Sequence, residues 1–197
     1  DTGDGAWYFD MLRKGTDTRP FRDTVIFGQA YQGGTPLDPM AAVAALPDDA
    51  EICADVLNAA DRRGIDSHGV GRLKPIYYDR VKELHVQNAV THFVVERDIA
   101  ATAVVNGNNG MGMVIAKKAM DLAIAKARQY GIGMVIAKNS THYGIAAYYP
   151  MMALEHGMIG MAGCNTATVM APWGGGKSAI GNNPLAVVVP TGKPYPL

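Results

Sequence analysis

A histidine lies between an apolar run and the next helical pattern near the middle of the chain. The run Ile132–Ile136 is rich in β-branched residues and predicts a buried strand, and His142 follows it within the segment Asn139–Gly144. In α/β proteins the ends of strands carry ligand-binding and catalytic side chains, and histidine exchanges protons near neutral pH. These residue types predict an acid/base group. The structural alternative is a turn whose histidine only caps or packs, and this segment alone leaves both open.

A second polar turn, at residues 65–73, contains residue types that suit carboxylate binding. Ser67 and His68 are adjacent, and Arg72 carries a planar guanidinium that can pair with a carboxylate through two hydrogen bonds. The alternative is a polar connection between two helices, with Arg72 in a surface ion pair. The presence of another turn rich in Ser, Thr and His favours the functional interpretation of both.

Helices and strands are predicted around both turns. Acidic residues at 48 and 49 open a helix that continues to Arg63 and ends at Gly64, and Tyr77 and Tyr78 open a further helix through Leu84. Further elements are predicted as strands at 93–96, 101–107, 132–137, 158–164 and 185–190, and as a long helix at 114–130. We expect the strands at 132–137, 158–164 and 185–189 to form one sheet, with the long helix against its face.

The helical pattern after His142 covers residues 145–156 and contains Pro150. Either the helix kinks at this proline, or its regular part starts near Tyr149 with the proline in the first turn. Ser140 and Thr141 are expected to cap this helix.

Two glycine-rich segments lack the spacing of phosphate-binding motifs. Gly110 and Gly112 have no third glycine at the offset of a dinucleotide-binding fingerprint, and Gly176-Lys177-Ser178 lacks the first glycine of a phosphate loop. The segment from Asn165 to Asn183 is nevertheless a long loop, and long loops inside compact domains are usually functional.

Composition excludes several classes of protein. Lys plus Arg and Asp plus Glu number 18 each, so no basic surface for nucleic acid is predicted. No apolar run has the length that a membrane helix needs. Cys53 and Cys164 lie far apart without metal-ligand spacing and are expected to be small buried residues. No signal-peptide pattern is visible, and we expect a cytoplasmic location.

Three motifs resemble the type-2 malate/L-lactate dehydrogenase family, which includes ureidoglycolate, sulfolactate and diketogulonate dehydrogenases. They are Ala60-Asp61-x-Arg63-Gly64-Ile65-x-Ser67-His68-Gly69 with Arg72-Leu73, then Asn139-Ser140-x-His142-x-Gly144, then Pro172-Trp173-Gly174-Gly175 with Gly181-x-Asn183-Pro184-Leu185-Ala186. The motifs occur in the family's order and cover residues 45–192. The resemblance implies a nicotinamide-binding fold that is not Rossmann, in agreement with the missing fingerprint.

The resemblance also implies functional residues. His142 corresponds to the acid/base histidine, His68 and Ser67 to the pair near the nicotinamide and substrate, and Arg72 to the arginine that holds the substrate carboxylate. The cofactor, NAD or NADP, is expected to contact His68, His142, Asn165, Pro172, Trp173, Gly174, Gly175 and Asn183, and no metal is expected. Transfer of a hydride to a 2-oxo acid creates negative charge on the carbonyl oxygen. A proton donor neutralises this charge, and an arginine holds the substrate carboxylate.

The expected fold class is α/β, a non-Rossmann nicotinamide-binding sheet flanked by helices, with a helical N-terminal region. We predict an N-terminal arm at 1–42 with a short helix at 7–13, a helical region with the Ser-His-Gly turn at 43–90, and an α/β cofactor-binding domain at 91–197. Because members of the family continue further, we expect a second polypeptide to supply the rest of the fold, in a homo- or hetero-oligomer. The predicted function is that of a 2-hydroxyacid dehydrogenase acting on a small carboxylate such as malate or lactate. The alternative is a non-catalytic structural or regulatory subunit, and a metal hydrolase ranks third because the histidines lack ligand spacing.

Overall fold

The computed structural model describes residues 47–193 and 195–197. The chain divides into two compact units, the first ending at Ile145 and the second starting at Ala146. The predicted arm at 1–42 and its helix at 7–13 lie outside the described residues. The predicted boundaries at 42 and 90 stay predictions.

The first unit begins with helix α1, Pro47–Asp61, which carries acidic residues in its first turn as predicted. Its apolar face is fully buried and consists of Cys53, Ala54, Val56, Leu57 and Ala60. Gly64 follows with φ of 68°, a left-handed conformation that glycine adopts without steric cost. The predicted end of this helix is confirmed to within two residues.

The segment after α1 is more irregular than the sequence predicts. Two short 3₁₀ turns, Asp66–His68 and Val70–Arg72, lead into a π-helical turn, Leu73–Tyr78, and then into α2, Asp79–Lys82. The predicted further helix is present, but its α-helical part starts at Asp79, and Tyr77 and Tyr78 belong to the π-helical turn before it. Pro75 has no backbone N–H and therefore cannot continue an α-helical hydrogen-bond ladder, which favours a local change of helix type.

A three-stranded sheet completes the first unit. Strands β1, Val94–Ile99, and β2, Thr102–Asn106, pair antiparallel, and β3, Met134–Lys138, runs parallel to β2. The long helix α3, Gly112–Tyr130, connects β2 to β3 and packs on both strands, and Ala103 and Val105 of β2 are buried. Met134 and Ile136 of β3 are more than half exposed. The predicted contact between the long helix and the 132–137 strand is confirmed.

The second unit consists of a short helix and a separate two-stranded sheet. Helix α4 spans Tyr148–Leu154, and strands β4, Gly160–Gly163, and β5, Leu185–Val188, pair antiparallel. Pro150 is the third residue of α4, so of the two alternatives the one with proline in the first turn is confirmed.

The prediction of a single sheet containing 132–137, 158–164 and 185–189 is wrong, because β3 belongs to a different sheet from β4 and β5. The intervening segment folds back on itself through a bridge between Met170 and Ile180, which brings β5 beside β4. Strand β5 is partly exposed, since Leu185 is 68% exposed. Within the described residues, no helix has the length and apolar character that crossing a bilayer demands.

Candidate active site

The turn that carries His142 is held against the N-terminus of α3. Thr141 Oγ1 accepts a hydrogen bond from Gly112 N at 2.9 Å and donates one to the Gly110 carbonyl at 2.8 Å. Thr141 thus satisfies a backbone N–H that a helix N-terminus would otherwise leave without a partner. The prediction that Ser140 and Thr141 cap the following helix is wrong for both residues: Thr141 caps the preceding helix, and the helix at Tyr148–Leu154 has Ala147 at its N-cap without a side-chain hydrogen bond.

Glycine permits this close approach of backbone to backbone. A Cβ on Gly112 would lie 2.7 Å from the Thr141 carbonyl carbon and closer still to the carbonyl oxygens of Thr141 and His142. On the other side of the histidine, Gly144 has φ of 77°, and a Cβ there would lie 2.6 Å from Val56 Cγ1. Position 112 therefore requires glycine for space, and position 144 requires it both for space and for its left-handed conformation.

The second turn is fixed by a carboxylate from the end of α1. Asp61 Oδ2 accepts a hydrogen bond from Val70 N at 3.0 Å, and a Cβ on Gly69 would collide with the Asp61 carboxylate. Asp61 is thus the reason that the turn needs a glycine after His68. This interaction orients the residues on either side of Gly69.

Hydrogen bonds connect the polar groups of this turn to one another. Ser67 Oγ lies 2.9 Å from His68 Nδ1, and Arg72 Nε donates to the Ser67 carbonyl at 2.6 Å. Because Arg72 Nε is engaged in this bond, its two terminal nitrogens remain for another acceptor.

The two turns meet through their histidines. The rings of His68 and His142 stack with centroids 5.6 Å apart and an interplanar angle of 23°. Ser67, His68, Arg72 and His142 therefore lie together in the first unit, as expected if both turns serve one site.

Sequence reasoning missed a fifth member of the cluster. Tyr77 Oη lies 2.7 Å from His142 Nδ1, and the two rings meet edge to face. The tyrosine is fully buried, and burial raises the pKa of its hydroxyl. Tyr77 follows Arg72 by five residues in a segment predicted to be helical, and its position in the sequence indicates only another helical residue.

The surroundings of His142 disfavour a positive charge. Burial, as the largest cause, and the nearby charges of His68, Arg80 and Arg72 together lower the pKa of His142 from 6.5 to about 4. His142 is therefore neutral at neutral pH. Arg80, in α2, is a second arginine that the sequence did not single out. Two guanidinium groups around one neutral imidazole make a site that suits an anion.

The remaining predicted residues lie in the second unit. Pro172, Trp173, Gly174 and Gly175 form a tight turn closed by a 2.8 Å hydrogen bond from Gly175 N to the Pro172 carbonyl. The Trp173 side chain is fully exposed, and Gly174 has φ of 73°.

Asn183 ties the two ends of this loop together. Its Oδ1 accepts a hydrogen bond from Thr166 N at 2.9 Å, next to the exposed Asn165. The Asn165–Asn183 loop is thus closed at its base by side-chain hydrogen bonds.

Comparisons with known proteins agree on one family. A family model described as malate/L-lactate dehydrogenase matches residues 38–197. The malate dehydrogenase of Pyrococcus abyssi is 47% identical over 149 residues, which are 75% of this chain and 41% of that protein. The L-sulfolactate dehydrogenase of Methanocaldococcus jannaschii is 41% identical over 140 residues, 71% of this chain and 40% of that protein.

A solved structure extends the likeness to the fold. The malate dehydrogenase structure from Pyrococcus horikoshii OT3 is 38% identical and superposes with a TM-score of 0.76, covering 91% of this chain and 47% of that one. The chain spans about two fifths of the length of the two relatives compared by sequence. With the motifs, the fold and the family model in agreement, this chain belongs to the malate/L-lactate dehydrogenase family.

Proposed function

We propose that this chain carries part of the active site of an oxidoreductase that transfers a hydride between NAD or NADP and a small 2-hydroxy or 2-oxo acid. The observation that supports this most directly is the cluster of Ser67, His68, Arg72 and His142, drawn from two separate turns onto one stacked pair of imidazoles. The names of the relatives, malate and sulfolactate dehydrogenase among them, agree with it.

His142 is the acid/base group in this proposal. A neutral imidazole can accept the proton of the substrate hydroxyl when the hydroxy acid is oxidised, and it returns a proton to the oxygen in the reverse reaction. A pKa lowered to about 4 keeps the ring in its proton-accepting form at neutral pH. After proton uptake the His142 ring is an imidazolium, and an anionic substrate beside it stabilises this positive charge.

Arg72 holds the substrate carboxylate in the same proposal. Its Nε is bound to the Ser67 carbonyl, which fixes the plane of the guanidinium and leaves the terminal nitrogens for a carboxylate. Arg80 also lies close enough for its charge to lower the pKa of His142. We infer that a substrate with two anionic groups, as malate and sulfolactate have, matches these two arginines better than lactate does.

The residues present agree in chemistry with a nicotinamide group. Stacked imidazoles offer an aromatic face, and Ser67 offers a hydroxyl beside them. A bound nicotinamide would supply or take up the hydride, with His68 at its edge. The amide of Gly112, at the N-terminus of α3, is bound to Thr141 and is not open to a phosphate, which supports a binding mode other than Rossmann.

Replacement of His142 tests the proposal. In the enzyme as purified, with any chain that accompanies it, His142→Ala is expected to lower kcat for NAD(P)-linked oxidation of malate by about 10²–10⁴-fold, the usual contribution of a general acid or base. Cofactor affinity, measured by fluorescence titration, should change little. His92→Ala, which removes an exposed histidine, is the matched control. A His142→Ala enzyme with kcat within threefold of the unmodified enzyme would contradict the assignment.

A further inference from the structure

The carboxylate of Asp61 supplies a cap that the turn at 65–73 cannot provide for itself. The 3₁₀ turn Val70–Arg72 has Gly69 at its N-cap, and glycine has no side chain that could accept a hydrogen bond from the N–H groups that follow. Asp61 Oδ2 accepts this bond from Val70 N at 3.0 Å, from nine residues earlier in the chain. Because Gly69 and Val70 are both buried, the N–H group would lack a partner without Asp61.

Asp61 stands at a position where its own helix disfavours an acidic residue. It is the last residue of α1, and the C-terminal end of a helix is unfavourable for a negative charge. The last turn of α1 contains no basic residue that would offset this charge. The acidic residue is therefore explained by its contact with the following turn and not by the stability of α1.

Hydrogen bonds continue from this cap to Arg72. The Gly69 carbonyl accepts a hydrogen bond from Arg72 N at 2.9 Å, and Arg72 Nε donates one to the Ser67 carbonyl at 2.6 Å. The backbone and the guanidinium group of Arg72 are thus both held by the turn that Asp61 caps. The turn that carries His142 has a separate anchor, the hydrogen bonds of Thr141.

We propose that Asp61 is a positioning residue that sets the place of Arg72, and with it the place of the substrate carboxylate, relative to His142. The proposal rests on the proposed function for the role of Arg72 in substrate binding. The geometry that it describes is a property of the chain without substrate. Asp61 acts only through the turn that it caps and does not touch the substrate.

Loss of the Asp61 carboxylate should affect substrate binding more than turnover. In Asp61→Ala, in the enzyme as purified with any chain that accompanies it, the KM for malate is expected to rise about tenfold, the effect of weakening one hydrogen bond between charged groups. The value of kcat should fall less than threefold, because the His142 turn keeps its own hydrogen bonds. A lower kcat with an unchanged KM would overturn the proposal.

The pKa of His142 provides a measurement that needs no substrate. Deletion of a nearby negative charge lowers the pKa of an imidazole. Displacement of the 65–73 turn has the opposite effect, because the charges of Arg72 and His68 are among the causes that lower this pKa. Asp61→Ala should therefore raise the pKa of His142 from about 4 toward 6.5, while burial and Arg80 keep it below that value.

NMR titration of the histidine ring resonances measures this change. The His142 signal is assigned by its absence from the spectrum of His142→Gln. A pKa in Asp61→Ala that is equal to or lower than that of the wild type would overturn the proposal, because the sign of the change separates displacement of the turn from simple loss of charge.

Two further variants separate the hydrogen bond from the charge. Asp61→Asn keeps an oxygen that can accept a hydrogen bond from Val70 N, and it should restore the KM for malate to within threefold of the wild-type value, together with the pKa of His142. Asp66→Ala removes an exposed carboxylate from the same turn and should change neither quantity. If Asp61→Asn is as impaired as Asp61→Ala, the proposal is wrong.

Gly69→Ala tests the contact while the carboxylate is still present. Gly69 has an extended backbone that alanine also adopts, and the three atoms nearest to an added Cβ all belong to the Asp61 carboxyl group. The single variant should raise the KM for malate, whereas the double variant Asp61→Ala/Gly69→Ala should be no worse than Asp61→Ala alone. Effects that multiply in the double variant would overturn the proposal. If Asp61→Ala does not fold, an unchanged KM in Gly69→Ala would overturn it.

The two proposals fail in distinguishable ways. If the purified protein shows no hydride transfer with any 2-hydroxy acid, but Asp61→Ala raises the pKa of His142 and Asp61→Asn restores it, the dehydrogenase assignment fails and the role of Asp61 stands. If His142→Ala abolishes turnover, but Asp61→Ala leaves both KM and the pKa of His142 unchanged, the role of Asp61 fails and the acid/base assignment stands.

Discussion

Gly112→Ala should disturb the site without altering any polar side chain. The added Cβ would lie 2.7 Å from the Thr141 carbonyl carbon, whereas carbon atoms in contact are about 3.5–4.0 Å apart. Because backbone surrounds the position on that side, the turn must retreat by about 1 Å. The retreat lengthens the 2.9 Å hydrogen bond between Gly112 N and Thr141 Oγ1 and shifts His142 against its partners.

Two magnitudes follow from that displacement. Overpacking of a tight contact costs about 1–3 kcal/mol, and the weakened hydrogen bond adds about 1 kcal/mol, so the free energy of unfolding should fall by about 2–4 kcal/mol. A catalytic group displaced by about 1 Å can lower the rate by about 10²-fold. We therefore expect kcat to fall together with the free energy of unfolding. If the hydrogen bond between Tyr77 and His142 is retained, the decrease in kcat should be smaller.

Urea unfolding and steady-state kinetics measure these two effects. Gly192→Ala is the matched control, because a Cβ at that glycine meets nothing within 4 Å. It should change neither the unfolding midpoint nor kcat. If Gly112→Ala unfolds at the same urea concentration as the wild type and keeps full activity, the inferred contact between α3 and the His142 turn is wrong.

Two further predictions concern pH and assembly. The pKa of His142 is lowered from 6.5 to about 4 in the folded chain, so between these pH values the unfolded chain binds a proton that the folded chain does not. The contribution of His142 to the free energy of unfolding should therefore be fully present above pH 6.5 and decrease as the pH falls toward 4. In His142→Gln, the urea midpoint should fall less steeply over this pH range. Exposed apolar residues on the two sheets, such as Ile136 and Leu185, predict that a second polypeptide or a second copy covers them. Light scattering after size exclusion, with an intact-mass spectrum, should detect it, and a stable monodisperse single chain would contradict this prediction.

Local sequence signals predicted most elements of the first unit. Helix α1 follows from acidic residues at its start and Gly64 beyond its end, and α3 follows from a long amphipathic pattern closed by Gly131, which has φ of 82°. These signals depend on neighbours a few residues apart, so they can be recognised without knowledge of the fold. The grouping of Ser67, His68 and Arg72 was predicted for the same reason.

Sheet membership could not be predicted in this way. Strands β3, β4 and β5 are alike in apolar character, and nothing within each strand specifies its partner. The pairing of β4 with β5 depends on the fold of residues 165–184, where the bridge between Met170 and Ile180 turns the chain back. Strand pairing is a long-range property that the periodicity of a single strand does not encode.

The residue types indicate which chemistry is available: a proton-exchanging histidine after one strand, a serine, a histidine and an arginine in another turn, and motifs of a dehydrogenase family. How these groups interact depends on the folded chain. The stacking of His68 on His142 and the bond from Tyr77 join residues 65 or more positions apart. The lowered pKa of His142 arises from burial and from charges on other elements. Burial and nearby charges of this kind result from packing. Packing brings together side chains that are far apart in the sequence, and local sequence signals do not indicate these contacts.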